Sequence, residues 1–238
     1  FAAVILAGAF ILMLPVSSRS GQATDFLTAL FTATSAVCVT GLVVVDTGTH
    51  WSLAGHLVIL LMIQVGGLGF MTMATLFFIL LGRKINLRER LLIQESLNQV
   101  SVEGVVRLAK YIFIFTFLTE LIFALVLGTR WASDLGWERG LWYGLFHAVS
   151  SFNNAGFDLF GDFRSLTGYR EDPLVNLSVT TLIILGGLGF TVIADLYRTR
   201  RLRSLSLHSR LVLLITLVLL VLGTLLISAL EWSGTLSQ

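Results

Sequence analysis

The sequence predicts an all-α membrane protein built from parallel repeats, each a span, a re-entrant helix with an extended return strand, and a second span. Three observations support this fold class. The 238 residues are 55% hydrophobic and only 13% charged, whereas roughly 25% are charged in an average soluble domain. Uncharged stretches of membrane-spanning length recur along the chain, and a set of motifs occurs twice in the same order. The net charge of +2 is too small and too dispersed to suggest nucleic acid as a partner.

Charged residues mark the edges of the predicted spans. One of these stretches contains Glu120, which is costly inside a membrane unless it is paired. The apolar residues 1–14 are shorter than a full span and have no basic region before them, so we expect the outer end of a truncated helix and not a signal peptide. The stretches long enough to cross a bilayer are residues 55–81, 111–129, 174–194 and 211–230.

Two further apolar stretches, residues 26–45 and 140–157, are divided in two by glycines, polar residues and aromatics. In each, a piece of helix length, residues 24–36 or 140–152, precedes a glycine-terminated piece, VCVTG or FNNAG. Non-helical backbone at membrane depth is tolerated only where protein buries it or where it lines a water-filled space. We therefore expect two re-entrant segments, each a helix followed by an extended strand.

The chemistry of these segments favours a cation. If each helix descends from outside, its C-terminus points at the membrane centre, where its partial negative charge stabilises a cation. The return strand can present backbone carbonyl oxygens to an ion that has lost its water, and the glycine permits close approach. The predicted ion-binding residues, acting through their backbone carbonyls, are Val37, Cys38, Val39, Thr40, Gly41, Phe152, Asn153, Asn154, Ala155 and Gly156.

The distribution of Lys and Arg predicts the orientation. The connections over residues 83–110 and 198–210 carry 11 of the 16 Lys and Arg residues, so this side is predicted to be cytoplasmic. Within it, residues 86–106 are expected to form an amphipathic helix. Acidic residues flank the re-entrant segments on the outer side. They either raise the local cation concentration or are ordinary solvated loop charges.

An internal duplication defines the domain organisation. The segment around Gly41 recurs around Gly156 at a constant offset of 115, and the string GGLGF at residues 66–70 returns at 186–190. Repeats that share one direction are related by an axis along the membrane normal and would enclose a pore. The predicted parts are a first repeat over residues 1–82, a cytoplasmic connection over 83–105, a second repeat over 106–203, and the first helix of a third repeat over 204–238.

Four strings give the sequence a family resemblance: TSAVCVTGL at 34–42, QVGGLGF at 64–70, SSFNNAGFDLF at 150–160 and LGGLGF at 185–190. Together they resemble the Trk/Ktr/HKT superfamily of potassium transporters, and the bacterial Ktr-type membrane subunit most closely. The resemblance implies four potassium-channel-like span-pore-span repeats in one polypeptide, of which two are present here. It also places two of the four selectivity-filter glycines at Gly41 and Gly156.

The resemblance further implies potassium uptake across the plasma membrane, with K⁺ as the transported ion and Na⁺ as a stimulating ion in some members. It implies a multi-pass protein in the lipid bilayer, a homodimer, and a cytosolic ring of nucleotide-binding regulatory subunits as partner. We expect no enzymatic activity, no covalently bound cofactor and no nucleic-acid partner.

Two other functions compete with this interpretation. His147, Ser150 and Ser151 share one segment and could suggest an intramembrane protease, but the sequence lacks a G-x-S-x-G elbow and the first repeat has Ser35 without a histidine. A secondary transporter coupled to sodium or protons could also contain repeats, although these usually have inverted topology. In that case Glu120 would be a candidate site for the coupling ion.

Side-chain roles near the predicted filter can also be anticipated. Cys38 is expected to be a small buried residue, and Asn153 and Asn154 are expected to brace the hairpin from behind. The GGLGF strings lie inside apolar helices without a flanking strand, so they predict close helix packing and not a nucleotide loop. Replacement of Gly67 by alanine should accordingly reduce stability while selectivity is retained. The four histidines show no metal-ligand spacing and are expected to be structural.

Overall fold

The computed structural model describes residues 1–69, 105–199 and 204–231, and this part of the chain is helical without a β-strand. It divides into two compact units, Phe1–Gly187 and Leu188–Gln238. Numbered in chain order among the described residues, the helices of the first unit are α1 (Ala2–Met13), α2 (Phe26–Val37), α3 (Thr47–His50), α4 (Leu53–Leu68), α5 (Val105–Leu135), α6 (Trp137–Phe152) and α7 (Pro173–Gly187). Those of the second are α8 (Phe190–Thr199) and α9 (Leu207–Glu231).

The lengths and compositions of these helices agree with the predicted membrane character. Residues 110–135 of α5 and 207–230 of α9 are each long and apolar enough to cross a bilayer. Helices α7 and α8 would add a third crossing if the pair forms one broken span. The predicted span 55–81 is described only as far as Gly69. The predicted amphipathic helix and the arginines at 200, 201 and 203 lie outside the described residues.

Polar side chains set the starts of the helices in the first repeat. The Asp25 carboxylate accepts a hydrogen bond from the backbone N–H of Leu27 at 3.0 Å at the start of α2. The Ser52 hydroxyl accepts one from the N–H of Gly55 at 3.2 Å at the start of α4. Both satisfy amide groups that the first turn of a helix leaves without partners. Compared with the predicted ranges 24–36 and 140–152, α2 begins two residues later and ends one residue later, whereas α6 begins three residues earlier and ends at the predicted residue.

Small residues let the helices approach one another closely. On α2, Ala29, Ala33 and Ala36 recur on one face and are fully buried, where they permit close packing of neighbouring helices. In the second repeat, Gly140 and Gly144 of α6 lie directly against the backbone of α5. Helix α6 thus packs closely against α5, the helix that precedes it. Apart from the four-residue α3, three helices follow one another in each half of this unit, α1, α2 and α4 and then α5, α6 and α7.

Candidate ion-binding site

The first candidate segment begins with a defined helix C-cap. Helix α2 ends at Val37, and Val39, two residues on, has a left-handed φ of 56°. The N–H of Thr40 donates to the carbonyl of Ser35 at 3.0 Å, and the N–H of Val39 donates to the carbonyl of Ala36 at 3.3 Å. This pair of bonds is a Schellman motif, which satisfies the last carbonyls of a helix and reverses the chain direction.

The second candidate segment repeats this geometry 115 residues later. Helix α6 ends at Phe152, and Asn154 has φ 57°. The N–H of Ala155 donates to the carbonyl of Ser150 at 2.7 Å, and the N–H of Asn154 donates to that of Ser151 at 3.1 Å. The duplication inferred from sequence is therefore present in the backbone hydrogen bonding.

The extended strands predicted for these segments are replaced by an irregular backbone. Positive φ values occur at alternate residues, at Val39 and Gly41 in the first segment and at Asn154 and Gly156 in the second. Regular strands have negative φ throughout and turn successive carbonyls to opposite sides. Glycine adopts positive φ readily, but a β-branched residue such as Val39 is strained there by about 1–3 kcal/mol. Backbone strain of this kind is concentrated at functional sites.

The carbonyl oxygens of both segments are available to a ligand. Those of residues 38–41 and 153–156 accept no hydrogen bond from the described part of the chain. Cys38, Thr40, Asn154 and Gly156 are exposed residues, so both segments are accessible to water or to an ion. The C-termini of α2 and α6 immediately precede these segments and add the partial negative charge of helix ends.

The two predicted filter glycines lie beside each other. A Cβ atom placed on Gly41 would contact the Ala155 carbonyl oxygen and would lie 3.3 Å from the Cα of Gly156. A Cβ atom on Gly156 would lie 3.8 Å from the Cα of Gly41. Positions that the sequence related only by their spacing are thus brought into contact by the fold.

Side chains of the candidate site divide into exposed and buried positions. Cys38 is exposed among the described residues, so the expectation that it is buried was wrong. It follows the last residue of α2, where Val37 fills the core at 1% exposure and the side chain of the cap residue turns outward. Thr40 is also exposed and its hydroxyl donates to the Ser35 hydroxyl at 3.0 Å.

Asn153 braces the second hairpin from behind, as predicted. Its side-chain amide donates to the Val149 carbonyl at 2.9 Å and to Glu120 Oε1 at 3.1 Å. Gln64 Nε2 donates to the same carboxylate at 3.0 and 3.2 Å. Asn154, in contrast, is exposed, and within the described residues its side chain donates only to the Phe152 carbonyl, at 3.4 Å. The buried carboxylate of Glu120 is therefore paired with two side-chain amides. Gln64 was not identified from the sequence as a partner, although a single glutamine in an apolar span is a signal for such a polar contact.

The GGLGF strings pack closely, as predicted, but their partners are the helix ends beside the candidate site. A Cβ atom on Gly66 would contact the carbonyl of Val37, and one on Gly186 would contact the carbonyl of Phe152. The same glycine of each repeat therefore supports the end of that repeat's own re-entrant helix. Close approach of backbone to backbone requires a residue without a side chain at both places.

The residues that suggested a protease are not arranged as a catalytic pair. The Ser150 hydroxyl donates to the Phe157 carbonyl at 2.7 Å. His147 Nδ1 donates to the Tyr143 carbonyl at 2.8 Å, and its Nε2 accepts from the N–H of Leu159 at 3.4 Å. Both side chains are thus occupied by backbone groups that shape the loop after the second segment.

Asp46 connects the loops that follow the two candidate segments. Its carboxylate accepts hydrogen bonds from the N–H of Phe163 at 2.8 Å and from the N–H and hydroxyl of Thr49 at 2.8 and 2.9 Å. Partial burial raises the pKa of Asp46, but these hydrogen bonds together lower the pKa below its ordinary value of 3.8. This carboxylate therefore has a structural role in holding the two loops together.

Apolar helices of spanning length and two convergent helix ends with unpaired carbonyls are features of a cation-transporting membrane protein. The family model of the TrkH cation transport protein matches residues 2–235, and the chain belongs to this family. It is thus a membrane protein of a family of ion transporters and not an enzyme, so the protease interpretation was wrong.

Named relatives agree with this assignment. The chain is 49% identical to the Ktr system potassium uptake protein B of Bacillus subtilis, over all of this chain and 53% of that protein. It is 44% identical to the Ktr system potassium uptake protein B of Vibrio alginolyticus, over 97% of this chain and 50% of that protein. Identity to the potassium/sodium uptake protein NtpJ of Enterococcus hirae is also 44%, over 98% and 51%. The chain spans about half the length of the curated relatives it matches.

Proposed function

We propose that this chain contributes two repeats of a membrane subunit that takes up potassium ions, with residues 37–41 and 152–156 forming part of its selectivity filter. The observation that carries the proposal is the pairing of two hairpins with the same backbone hydrogen bonding, which lie against each other at Gly41 and Gly156 and whose carbonyls at 38–41 and 153–156 accept no hydrogen bond from the described residues. Relatives named as potassium uptake proteins support potassium as the transported ion.

The mechanism follows from the chemistry of the hairpins. A cation that enters the filter loses water, and backbone carbonyl dipoles replace the lost oxygens. The C-termini of α2 and α6 lower the energy of the ion further. Each interaction is weak enough for the ion to leave again, so the filter conducts and does not trap. Left-handed residues at alternate positions break the strand pattern in which neighbouring carbonyls point to opposite sides.

The orientation and setting belong to the same proposal. The basic connections face the cytoplasm because that side carries most of the Lys and Arg residues. The filter mouth consequently faces the outside of the plasma membrane. The chain acts in a homodimer and with a cytosolic nucleotide-binding regulatory ring; support comes from relatives named as component B of a Ktr system.

The arginines at 200, 201 and 203 are candidates for docking this regulatory partner, although they lie outside the described residues. Replacing all three with alanine should weaken co-purification of the ring with the membrane subunit. Unchanged co-purification at normal expression would contradict a docking role and leave the arginines as orientation signals alone.

The direct test uses the full-length protein that carries this sequence, purified and reconstituted in liposomes. A potassium gradient should drive a flux that depends on the protein and exceeds the flux of sodium. Because the relative from Enterococcus hirae is named for both ions, sodium should be assayed alone and in mixtures. Absence of protein-dependent potassium flux in sealed, correctly inserted liposomes would refute the proposal.

A further inference from the structure

A buried carboxylate lies behind the second hairpin without a cationic partner. The Glu120 side chain is 3% exposed, and none of the ion pairs in the described ranges includes it. Desolvation makes such a group costly unless charge-assisted hydrogen bonds compensate. Here both carboxylate oxygens accept from amide groups, and no described acid or base besides Glu120 takes part in this cluster.

The cluster fixes one side chain of the candidate filter. Glu120 Oε1 accepts from Gln64 and Asn153 together, and Asn153 Nδ2 also lies 3.2 Å from Gln64 Oε1. These contacts join α4, α5 and the end of α6. In sequence, Glu120 on α5 is 56 residues from Gln64 on α4 and 33 residues from Asn153 at the end of α6. A buried side-chain network of this kind restricts the arrangements open to its members.

The brace is present in one repeat and absent from the equivalent position of the other. Asn153 caps α6 with φ −80° and ψ 1°, and Cys38 caps α2 with φ −84° and ψ −1°. The backbones match, but the Asn153 side chain is 9% exposed and hydrogen-bonded while the Cys38 side chain is exposed. The second hairpin is thus held by a side-chain anchor that the first lacks.

We propose that Glu120 is a positioning residue for ion selectivity, acting through Asn153 on the carbonyls of residues 153–156. The inference rests on the proposed function, since selectivity has meaning only if those carbonyls bind the ion. The amide groups that touch its carboxylate come from Gln64 and from Asn153 of the hairpin, which is why we assign Glu120 a positioning role.

The test compares potassium and sodium flux through variants of the full-length protein in liposomes. E120L removes the acceptor and should lower the potassium preference by about tenfold, equivalent to about 1.4 kcal/mol in relative binding. E120Q keeps an oxygen that can accept from both amides and should restore the preference to within about twofold of wild type. T116V is the matched control, because Thr116 lies one turn earlier on α5, is fully buried and has no hydrogen-bond partner among the described residues.

The outcomes separate this role from packing and from the proposed function. Wild-type preference in well-folded E120L protein would overturn the role of Glu120, and so would an equal loss in T116V or E120Q. If E120L does not fold, N153A removes the amide through which Glu120 acts and takes its place. Unchanged preference in N153A would then overturn the role. Absence of potassium flux in the wild-type protein would instead refute the proposed function.

Discussion

Substitution of the two proposed filter glycines, Gly41 and Gly156, should have unequal effects on ion selectivity, and the structure predicts which effect is larger. Serine at either position must adopt a left-handed backbone, at φ 68° for residue 41 and 75° for residue 156, which costs an L-residue about 1–2 kcal/mol. At Gly41 the new Cβ also collides with the backbone carbonyl of Ala155. At Gly156 the nearest atom is the Cα of Gly41 at 3.8 Å, an ordinary contact.

Both substitutions should therefore lower the discrimination of potassium from sodium, and Gly41→Ser should do so more strongly. A displacement that costs about 1.4 kcal/mol in relative binding reduces selectivity about tenfold. We expect about this loss for Gly156→Ser and a greater loss for Gly41→Ser. The re-entrant helices should fold in both variants, because their supporting contacts lie elsewhere on α2 and α6.

The assay is the reversal potential, or competitive flux, in mixtures of potassium and sodium with the full-length protein. Gly168→Ala serves as a control, since a Cβ built at Gly168 would lie more than 4 Å from every described atom outside the adjoining residues and its φ is not left-handed. Wild-type selectivity in both serine variants, in well-expressed protein, would refute the reasoning and leave the two glycines as turn residues. A larger loss of selectivity at Gly156 than at Gly41 would contradict the argument from the closer contact of Gly41 with the Ala155 carbonyl.

Three other predictions concern packing, pH and orientation. Gly67→Ala should lower both ion selectivity, measured by flux, and stability, measured by melting, because its Cβ would displace the Asn153 side chain. A loss of stability with selectivity retained would favour the prediction made from the sequence, that Gly67 serves only in packing. The Asp46 pKa is lowered on folding, so its stabilising contribution is present above pH 3.8 and is lost as the pH falls through the lower folded pKa. Asp46→Asn should thus reduce the melting temperature at neutral pH and flatten its fall below pH 4; an unchanged melting profile would contradict this. In a background with Cys38 replaced by Ser, cysteines introduced at Asn86 and Ser204 should resist labelling from outside intact cells, and strong labelling would reverse the orientation.

The fold class and the two hairpins could be predicted because they depend on local and repeated signals. Uncharged stretches define spans by length, and the 115-residue offset in the sequence relates Gly41 to Gly156. Hydropathy could also locate Glu120 inside a span and predict that it needs a partner. These inferences use properties of short segments, which a single sequence retains.

Other features depend on contacts between distant segments and could not be read from the sequence. The left-handed backbone at Val39 opposes the preference of a β-branched residue, so an extended strand was the better local prediction. The partners of Glu120 come from α4 and the end of α6, and periodicity cannot select them. The contact of Gly66 with the Val37 carbonyl likewise needs the three-dimensional arrangement of the repeat.

The most direct test of the central claim is the location of the ion itself. Crystals of the full-length protein grown with rubidium or thallium, which substitute for potassium and scatter anomalously, would reveal a bound cation. We predict an anomalous peak beside Gly41 and Gly156, coordinated by carbonyl oxygens of residues 38–41 and 153–156. A well-ordered site without such a peak, in protein that transports the same ion in liposomes, would contradict the assignment of these carbonyls as the filter.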